Sequence, residues 1–254
     1  MRWLEPDEPE PFRVEEPAGR SPFLLTCDHA SALVPRRLNS LGLPAEELQR
    51  HIAWDLGAAA VALKLAARLG AFLILQNYSR LVIDCNRPPG SAQSVLRVSD
   101  GTRIPGNESV SPGEILARER EVFYPYHNRI QSELNARLAT KQTTILVAMH
   151  SFTPVFHSIP RPWQVGVLYH RDRRLADLLL SYLMRDSELV VGNNEPYSVS
   201  DETDYTIPVH GERRGLLHAE VELRQDVIAD EDGQSAWTER MAQALLQSLD
   251  ALML

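Results

Sequence analysis

Cysteine is scarce in this chain, which carries only Cys27 and Cys85 among its 254 residues. Two thiols cannot form the disulfide framework that stabilises small secreted domains. No apolar run approaches the roughly 20 residues that a membrane-spanning helix needs. The acidic, proline-rich start of the chain has no apolar centre of the kind a secretory signal carries. These absences predict a soluble, cytoplasmic protein.

An excess of basic residues is also lacking, because 26 Lys and Arg stand against 34 Asp and Glu, giving a formal net charge of −8. Nucleic acid and anionic membranes are therefore not expected as partners. Small anionic substrates are not excluded, since a cationic pocket can lie inside an acidic protein.

The composition, with 44% hydrophobic and 24% charged residues, is that of an ordinary globular chain. Residues 1–20, which contain four prolines and acidic clusters, are predicted to form an extended arm, and residues 21–254 a single domain. Apolar runs alternate with helical patterns. The predicted strands are 23–27, 71–76, 81–83, 144–149, 164–169, 189–191 and 216–223. The predicted helices are 44–69, 114–138 with an interruption at Pro125, 173–184 and 233–252. This alternation predicts a three-layer α/β domain with a central parallel or mixed sheet flanked by helices.

The segment 88–112 is rich in Gly, Pro, Ser and Asn and is much longer than an ordinary connection of about 4–6 residues. Segments of this kind are typically binding loops or lids.

Two predicted strands run directly into polar residues. The first is followed by Asp28 and His29, and another by His150 and Ser151. Because sites in α/β sheets gather at the carboxyl ends of strands, these residues are candidates for one site. Neutral imidazole is a good zinc ligand. The alternative is that each histidine is a hydrogen-bonded residue at a strand end.

Two further patterns add polar groups to this picture. A turn after the second strand carries Arg80, Asp84, Asn86 and Arg87, which suits carboxylate binding or, alternatively, an internal Arg–Asp pair. The last strand places Glu220 and Glu222 on one face, with apolar residues on the other. That face either lines a site or is a solvated edge.

Seven stretches carry a resemblance to a known family: Cys27–Ala30 with Val34–Pro35, His51–Gly57, Ser79–Pro88, His150–Pro154, Arg161–Trp163, Asn194–Tyr197 and Glu222–Asp226. In this order, over residues 23–237, they resemble the N-formylglutamate amidohydrolase family. The family is similar in fold to zinc carboxypeptidases. The resemblance implies a metal-dependent enzyme that cleaves the formyl amide of N-formyl-L-glutamate, or of a related N-acyl amino acid, to formate and the amino acid, a reaction of histidine degradation.

The resemblance also implies the roles of individual residues. One zinc ion would be held by His29, His150 and an acidic ligand. The carboxypeptidase pattern has this acid three residues after the first histidine, where this chain has Ala32. Asp55, expected on a helix with its side chain toward the core, is the preferred replacement, and Asp28 is the rival.

Glu222 would be the general base, and Arg80 or alternatively Arg87 would steady the oxyanion or the substrate carboxylate. The substrate would be bound by Asn86, Arg87, Arg161 and Ser151. Two other classes stay open: a metallopeptidase of the carboxypeptidase-like group, and a non-catalytic binding protein that has kept the pocket. The chain has no Gly-x-Ser-x-Gly elbow of a serine hydrolase. Catalysis by the Cys27 thiol is disfavoured, since a cysteine at a strand end usually packs in the core.

Overall fold

The computed structural model describes residues 3–16 and 19–252. Within them the chain forms eleven strands. They are β1 (Phe12–Glu15), β2 (Phe23–Cys27), β3 (Phe72–Gln76), β4 (Val98–Ser99), β5 (Thr102–Arg103), β6 (Ile145–Phe152), β7 (Val155–Phe156), β8 (Ile159–Pro160), β9 (Val165–Leu168), β10 (Val191–Asn193) and β11 (Leu217–Arg224).

Seven of these strands form one mixed sheet in the order β1-β3-β2-β6-β11-β9-β10. The four central strands β3, β2, β6 and β11 run parallel, while β1 and β9 pair antiparallel with their neighbours β3 and β11. The short pairs β4–β5 and β7–β8 are separate hairpins. The predicted α/β class with a mixed central sheet is confirmed.

The helices cover both faces of the sheet. They are α1 (Ala45–Leu48), α2 (Ala58–Leu69), α3 (Pro105–Glu108), α4 (Pro112–Arg118), α5 (Tyr124–Ala139), α6 (Arg174–Leu183) and α7 (Glu231–Leu252). A π-helical turn over Glu119–Phe123 joins α4 to α5, and a second occupies Ile207–Gly211. Short 3₁₀ segments lie at Arg36–Gly42, Glu212–Arg214 and Gln225–Ile228. The first π turn precedes Pro125, where the long helix was expected to be interrupted.

The alternation of side chains along the strands divides the interior into two cores. Ala219, Val221 and Leu223 of β11 pack in the core under α2, α6 and α7. The even-numbered residues of β11 therefore point to the opposite face, where α5 packs. Strands covered on both faces read as continuous apolar runs, which is why β2 and β6 were visible in the sequence.

Three segments differ from the sequence-based prediction. The expected helix 44–69 is broken, because residues 49–57 form a turn-rich loop between α1 and α2, so Asp55 does not lie on a helix. The expected strand 81–83 is a turn. The side chains of Asn107 and Arg118 donate hydrogen bonds to the carbonyls of Leu81 and Val82, so side chains and not a neighbouring strand satisfy these two backbone groups.

The third difference concerns the N-terminal arm. Its residues Phe12–Glu15 pair antiparallel with β3 and extend the main sheet by an edge strand. Residues 1–2 and 17–18 of the predicted arm, and residues 253–254, lie outside the described residues. The division into an arm and one domain stays a prediction. No helix within residues 3–16 and 19–252 is long and apolar enough to cross a membrane.

Candidate active site

A cleft of about 480 Å³ opens at the carboxyl ends of the central parallel strands. It is lined by eight of the nine residues that the sequence placed in a site, namely His29, Asp55, Arg80, Asn86, Arg87, His150, Ser151 and Glu222. The sheet register explains part of this convergence. Glu222 is the register partner of His150 on the adjacent parallel strand, so both side chains rise from the same face.

Three of these residues form a cluster with the donor types of a metal site. One donor atom each from His29, Asp55 and His150 lies within 4.8 Å of the others, and all three residues are buried. Nδ1 of His150 lies 2.9 Å from Oδ2 of Asp55, and Nδ1 of His29 lies 3.4 Å from the same oxygen. Both rings therefore present the same nitrogen to one carboxylate.

The loop that carries Asp55 is held in place by both neighbouring strand ends. The Asp55 amide donates to the carbonyl of His29 at 2.9 Å, and the Ser151 amide donates to Asp55 Oδ2 at 3.2 Å. The Ser151 hydroxyl donates to the carbonyl of Leu56. Gly57 then turns into α2 with φ +79°, where an added Cβ would lie 2.7 Å from the Ile228 carbonyl oxygen. The loop is therefore built into the fold, although its sequence reads as helix.

The second nitrogen of each imidazole faces a further carboxylate. Nε2 of His29 lies 2.7 Å from Oδ1 of Asp84. Nε2 of His150 lies 3.4 Å from Oδ2 of Asp28, whose other oxygen accepts a hydrogen bond from the Tyr126 hydroxyl at 2.6 Å. Asp28 thus lies behind His150, on the side away from Asp55. This geometry favours Asp55 over Asp28 as the acidic member of the donor set.

Arg80 is oriented by two of these acids. Its Nε and Nη2 donate to Oδ2 of Asp84 at 3.0 and 2.7 Å, and Nη1 lies 3.4 Å from Oδ1 of Asp55. The Arg–Asp pair expected from the sequence is therefore present. It positions the guanidinium along the wall of the cleft.

The charges of this cluster shift the pKa values of its members. Burial alone would raise the pKa of Asp55, but His29 and His150 hold it well below its usual range. Burial would also raise the pKa of Asp84, which Arg80 and His29 hold well below its usual range. Burial would lower the pKa of His150, but the facing carboxylates, Glu220 first, raise it instead. The buried cluster is therefore a set of mutually stabilised charges.

The pKa values of Glu222 and Glu220 are shifted in the opposite direction from those of the two aspartates. Burial raises the pKa of each above the usual range of a glutamate, and His150 opposes this rise. Oε2 of Glu222 is buried with no hydrogen-bond partner, whereas Oε2 of Glu220 lies 3.4 Å from Nδ2 of Asn86. Of the two, Glu222 is therefore the carboxylate with an uncommitted oxygen.

Asn86 and Arg87 are bound to the segment that follows Thr203. The side-chain oxygen Oδ1 of Asn86 accepts hydrogen bonds from the backbone amides of Tyr205 and Thr206. Nη1 of Arg87 donates to the carbonyls of Asn86 and Thr203 and lies 3.4 Å from Asp204. Both residues line the cleft, but part of their bonding capacity serves the fold.

Arg161 is the one predicted site residue that does not line the cleft. Its guanidinium stacks on Phe156 and Tyr197 at 4.7 and 4.8 Å from their ring centroids, and Nη1 donates to the Tyr197 hydroxyl at 2.9 Å. Both aromatic residues line the cleft. No carboxylate within the described parts of the chain pairs with Arg161.

The segment 88–112 contributes to the rim of the cleft, as its length suggested. Asp100, at the turn of the β4–β5 hairpin, lines the cleft and lies 3.0 Å from Arg50, 3.3 Å from His51 and 3.8 Å from His157. The hairpin is thereby tied to the loop before Asp55 and to the turn between β7 and β8. His51 accordingly faces Asp100.

Sequence reasoning missed several residues around the site. Tyr126 lies in the middle of α5, and nothing in its neighbourhood marks it as different from a core aromatic residue. Asp204 lies in an irregular segment and becomes visible only when the fold brings it to the cleft. Tyr197 belongs to one of the stretches that carry the family resemblance, but nothing in the sequence assigns it a role in the site. Asp28 was visible because it precedes His29, but its direction could not be read from its position.

Comparison with known proteins places the chain in a family. A profile of the N-formylglutamate amidohydrolase family matches residues 21–229. A gene product of Agrobacterium tumefaciens has 36% sequence identity and a TM-score of 0.96, with 100% of both chains covered. The N-formylglutamate amidohydrolase of Ralstonia eutropha has 16% identity and a TM-score of 0.67, with 94% of this chain and 97% of that chain covered. No curated protein matches the chain. The family profile covers all of the cleft-lining residues, and this chain belongs to the N-formylglutamate amidohydrolase family.

Proposed function

We propose that this protein is a zinc-dependent amidohydrolase that cleaves the formyl amide of N-formyl-L-glutamate, or of a related N-acyl amino acid. The products are formate and the free amino acid. The observation that carries this proposal is the cluster of His29, Asp55 and His150, whose donor atoms lie within 4.8 Å of one another. Glu222, the register partner of His150, has a buried oxygen without a hydrogen-bond partner.

The donor set suits a catalytic zinc ion. Two imidazole nitrogens and one carboxylate oxygen are three protein ligands, the number that leaves zinc a position for water or substrate. Both rings direct Nδ1 at Asp55, and the other nitrogens face Asp84 and Asp28, as in metal sites where a carboxylate orients each ligating histidine. When bound, zinc would polarise the carbonyl of the substrate and lower the pKa of water.

Glu222 is assigned the proton transfer. It takes a proton from the attacking water and returns it to the leaving amine nitrogen, which is the role of a general base that later acts as an acid. Two observations support this assignment: Glu222 is the register partner of His150, and its buried Oε2 has no hydrogen-bond partner. The Cys27 thiol is not a rival, because burial raises its pKa to about 12.

Arg80 is assigned the stabilisation of the oxyanion. Its guanidinium is fixed by Asp84 and faces the cleft next to Asp55, so it needs little reorganisation when negative charge develops on the substrate oxygen. Arg87, Asn86 and Ser151 are proposed to contact the substrate from the cleft wall. Arg161, whose guanidinium stacks on Phe156 and Tyr197, is proposed to attract a substrate carboxylate electrostatically without contacting it.

Arg87 and Arg161, the two arginines proposed to recognise substrate carboxylates, are expected to affect KM to different extents. Arg87→Gln is expected to raise KM for N-formylglutamate by about tenfold or more, since hydrogen bonds to charged groups contribute about 1.5–3 kcal/mol. KM for an uncharged N-formyl compound should change much less. Arg161→Gln should act in the same direction but more weakly, because its guanidinium does not line the cleft and is already stacked on Phe156 and Tyr197. Steady-state kinetics on both substrates measure this difference.

The matched control for these variants is Arg68→Gln, which removes an exposed guanidinium paired with Glu239, remote from the cleft. It should leave both KM values unchanged. Equal losses on the charged and the uncharged substrate in both test variants would show that Arg87 and Arg161 serve the fold.

The proposal as a whole is tested by metal analysis and a substrate panel. Purified protein is analysed for zinc and then assayed on N-formyl and N-acetyl derivatives of glutamate and of neutral amino acids, with dipeptides as a separate arm. Hydrolysis of the N-formyl compounds by zinc-loaded protein is expected. Activity on dipeptides alone would identify a metallopeptidase, and zinc binding without any hydrolysis would identify a binding protein.

A further inference from the structure

Two buried polar residues, Asp28 and Tyr126, lie behind His150 on the side opposite the proposed metal. We call His150, Asp28 and Tyr126 the polar relay. Oδ2 of Asp28 and Nε2 of His150 are both buried without a hydrogen-bond partner, and they face each other at 3.4 Å. Unpaired buried polar atoms are costly, so two such atoms facing each other across one short gap form a pair that a small ring rotation completes.

The other end of this relay is fixed by a residue outside the site. Oδ1 of Asp28 accepts a hydrogen bond of 2.6 Å from the hydroxyl of Tyr126, which is fully buried on α5. The carboxylate therefore cannot rotate without losing this bond. Its second oxygen is held toward His150.

We propose that Asp28 is a positioning residue that orients His150 for metal binding, and that Tyr126 acts through Asp28. This inference rests on the proposed function. The carboxylate accepts a hydrogen bond from the Nε2–H of His150, which holds the ring in the tautomer whose Nδ1 is unprotonated and directed at the donor cluster. Asp28, which the sequence offered as the alternative acidic ligand, therefore contacts a metal-binding histidine and not the metal.

Glu220 is the competing explanation. Its Oε2 lies 3.9 Å from Nε2 of His150, but it also lies 3.4 Å from the amide nitrogen of Asn86. Asp28 is closer, and its free oxygen has no other partner. The geometry therefore favours Asp28 as the group that fixes the ring.

The test is a zinc-affinity measurement by chelator competition on the whole folded protein. Asp28→Asn keeps the shape but removes the charge, and it is expected to weaken zinc binding by about 10–100-fold, as losses of partners behind metal ligands do. Tyr126→Phe should weaken zinc binding less. In the Asp28→Asn background it should add almost nothing, because residues of one network are not additive. Tyr169→Phe, which loses a hydroxyl bond of 2.7 Å to Asn193, is the matched control and should keep wild-type affinity.

A spectroscopic readout separates positioning from general loss of stability. In the ¹H–¹⁵N spectrum of the zinc-loaded protein, the Nε2 proton of His150 should be shifted downfield and should move upfield in Asp28→Asn. Wild-type affinity and an unmoved signal in Asp28→Asn would overturn the inference alone, as would loss of affinity in Glu220→Gln instead. A wild-type protein that binds no zinc would overturn the proposed function and this inference with it.

Discussion

His29→Ala and His150→Ala are each expected to abolish stoichiometric zinc binding while leaving a folded protein. Each substitution removes one of the two nitrogen donors directed at Asp55, so the loss of affinity should exceed the roughly 10–100-fold cost of losing a partner behind a ligand. Hydrolytic activity should disappear with the metal. Metal content after dialysis, circular dichroism and activity of the same samples measure the three effects together.

Folding of these variants is expected because the surrounding charges keep other partners. In His29→Ala, Asp84 still accepts two bonds from Arg80. In His150→Ala, Asp55 keeps the bond from the Ser151 amide, and Asp28 keeps the bond from Tyr126. Some stability is lost, since buried carboxylates become less well compensated. The unfolding temperature should fall without loss of the cooperative transition.

His218→Ala is the matched control for the metal prediction. His218 is also buried, but it lies four residues before Glu222 on β11, away from the cleft, and its Nδ1 bonds the Leu216 carbonyl. This variant should lose stability and keep its zinc. Full zinc occupancy in His29→Ala or His150→Ala would contradict the proposed donor set. Zinc retained in Asp55→Ala alone would move the acidic ligand elsewhere.

The sequence predicted the strands of this fold better than the loops. The run Phe23–Cys27 was recognised to the residue because it is apolar, covered on both faces and bounded by polar groups. β6 is longer than predicted, since His150, Ser151 and Phe152 continue to pair with β11 although two of them are polar. The pairing partner, which lies far along the chain, decides where such a strand ends.

The loop around Asp55 shows why part of the site was misread. Residues 44–69 have helical composition, and local propensity alone predicts one continuous helix. The Asp55 amide donates to the carbonyl of His29, and the Ser151 amide donates to the Asp55 carboxylate. Both strand ends therefore hold residues 49–57 out of the helical path. The donor type was therefore predictable from the sequence, but its backbone setting depended on contacts about a hundred residues apart.

The final prediction concerns the carboxylate assigned to proton transfer. Glu222→Gln retains the size of the side chain and its ability to form hydrogen bonds but cannot accept a proton. Because Glu222 is outside the donor cluster, zinc content should be unchanged. kcat should fall by about 10²–10⁴-fold, the usual contribution of a general base, with KM little changed.

Glu220→Gln provides the comparison on the same strand face. Glu220 is just as buried as Glu222 and lies two residues earlier, but one of its oxygens is engaged with Asn86. A glutamine at position 220 can keep that contact, so the loss of kcat should be much smaller than in Glu222→Gln. The decisive comparison is therefore kcat of the two zinc-loaded variants on the same N-formyl substrate. A dead Glu220→Gln beside a fully active Glu222→Gln would exchange the two roles. Full activity in both would remove proton transfer by these two glutamates from the mechanism.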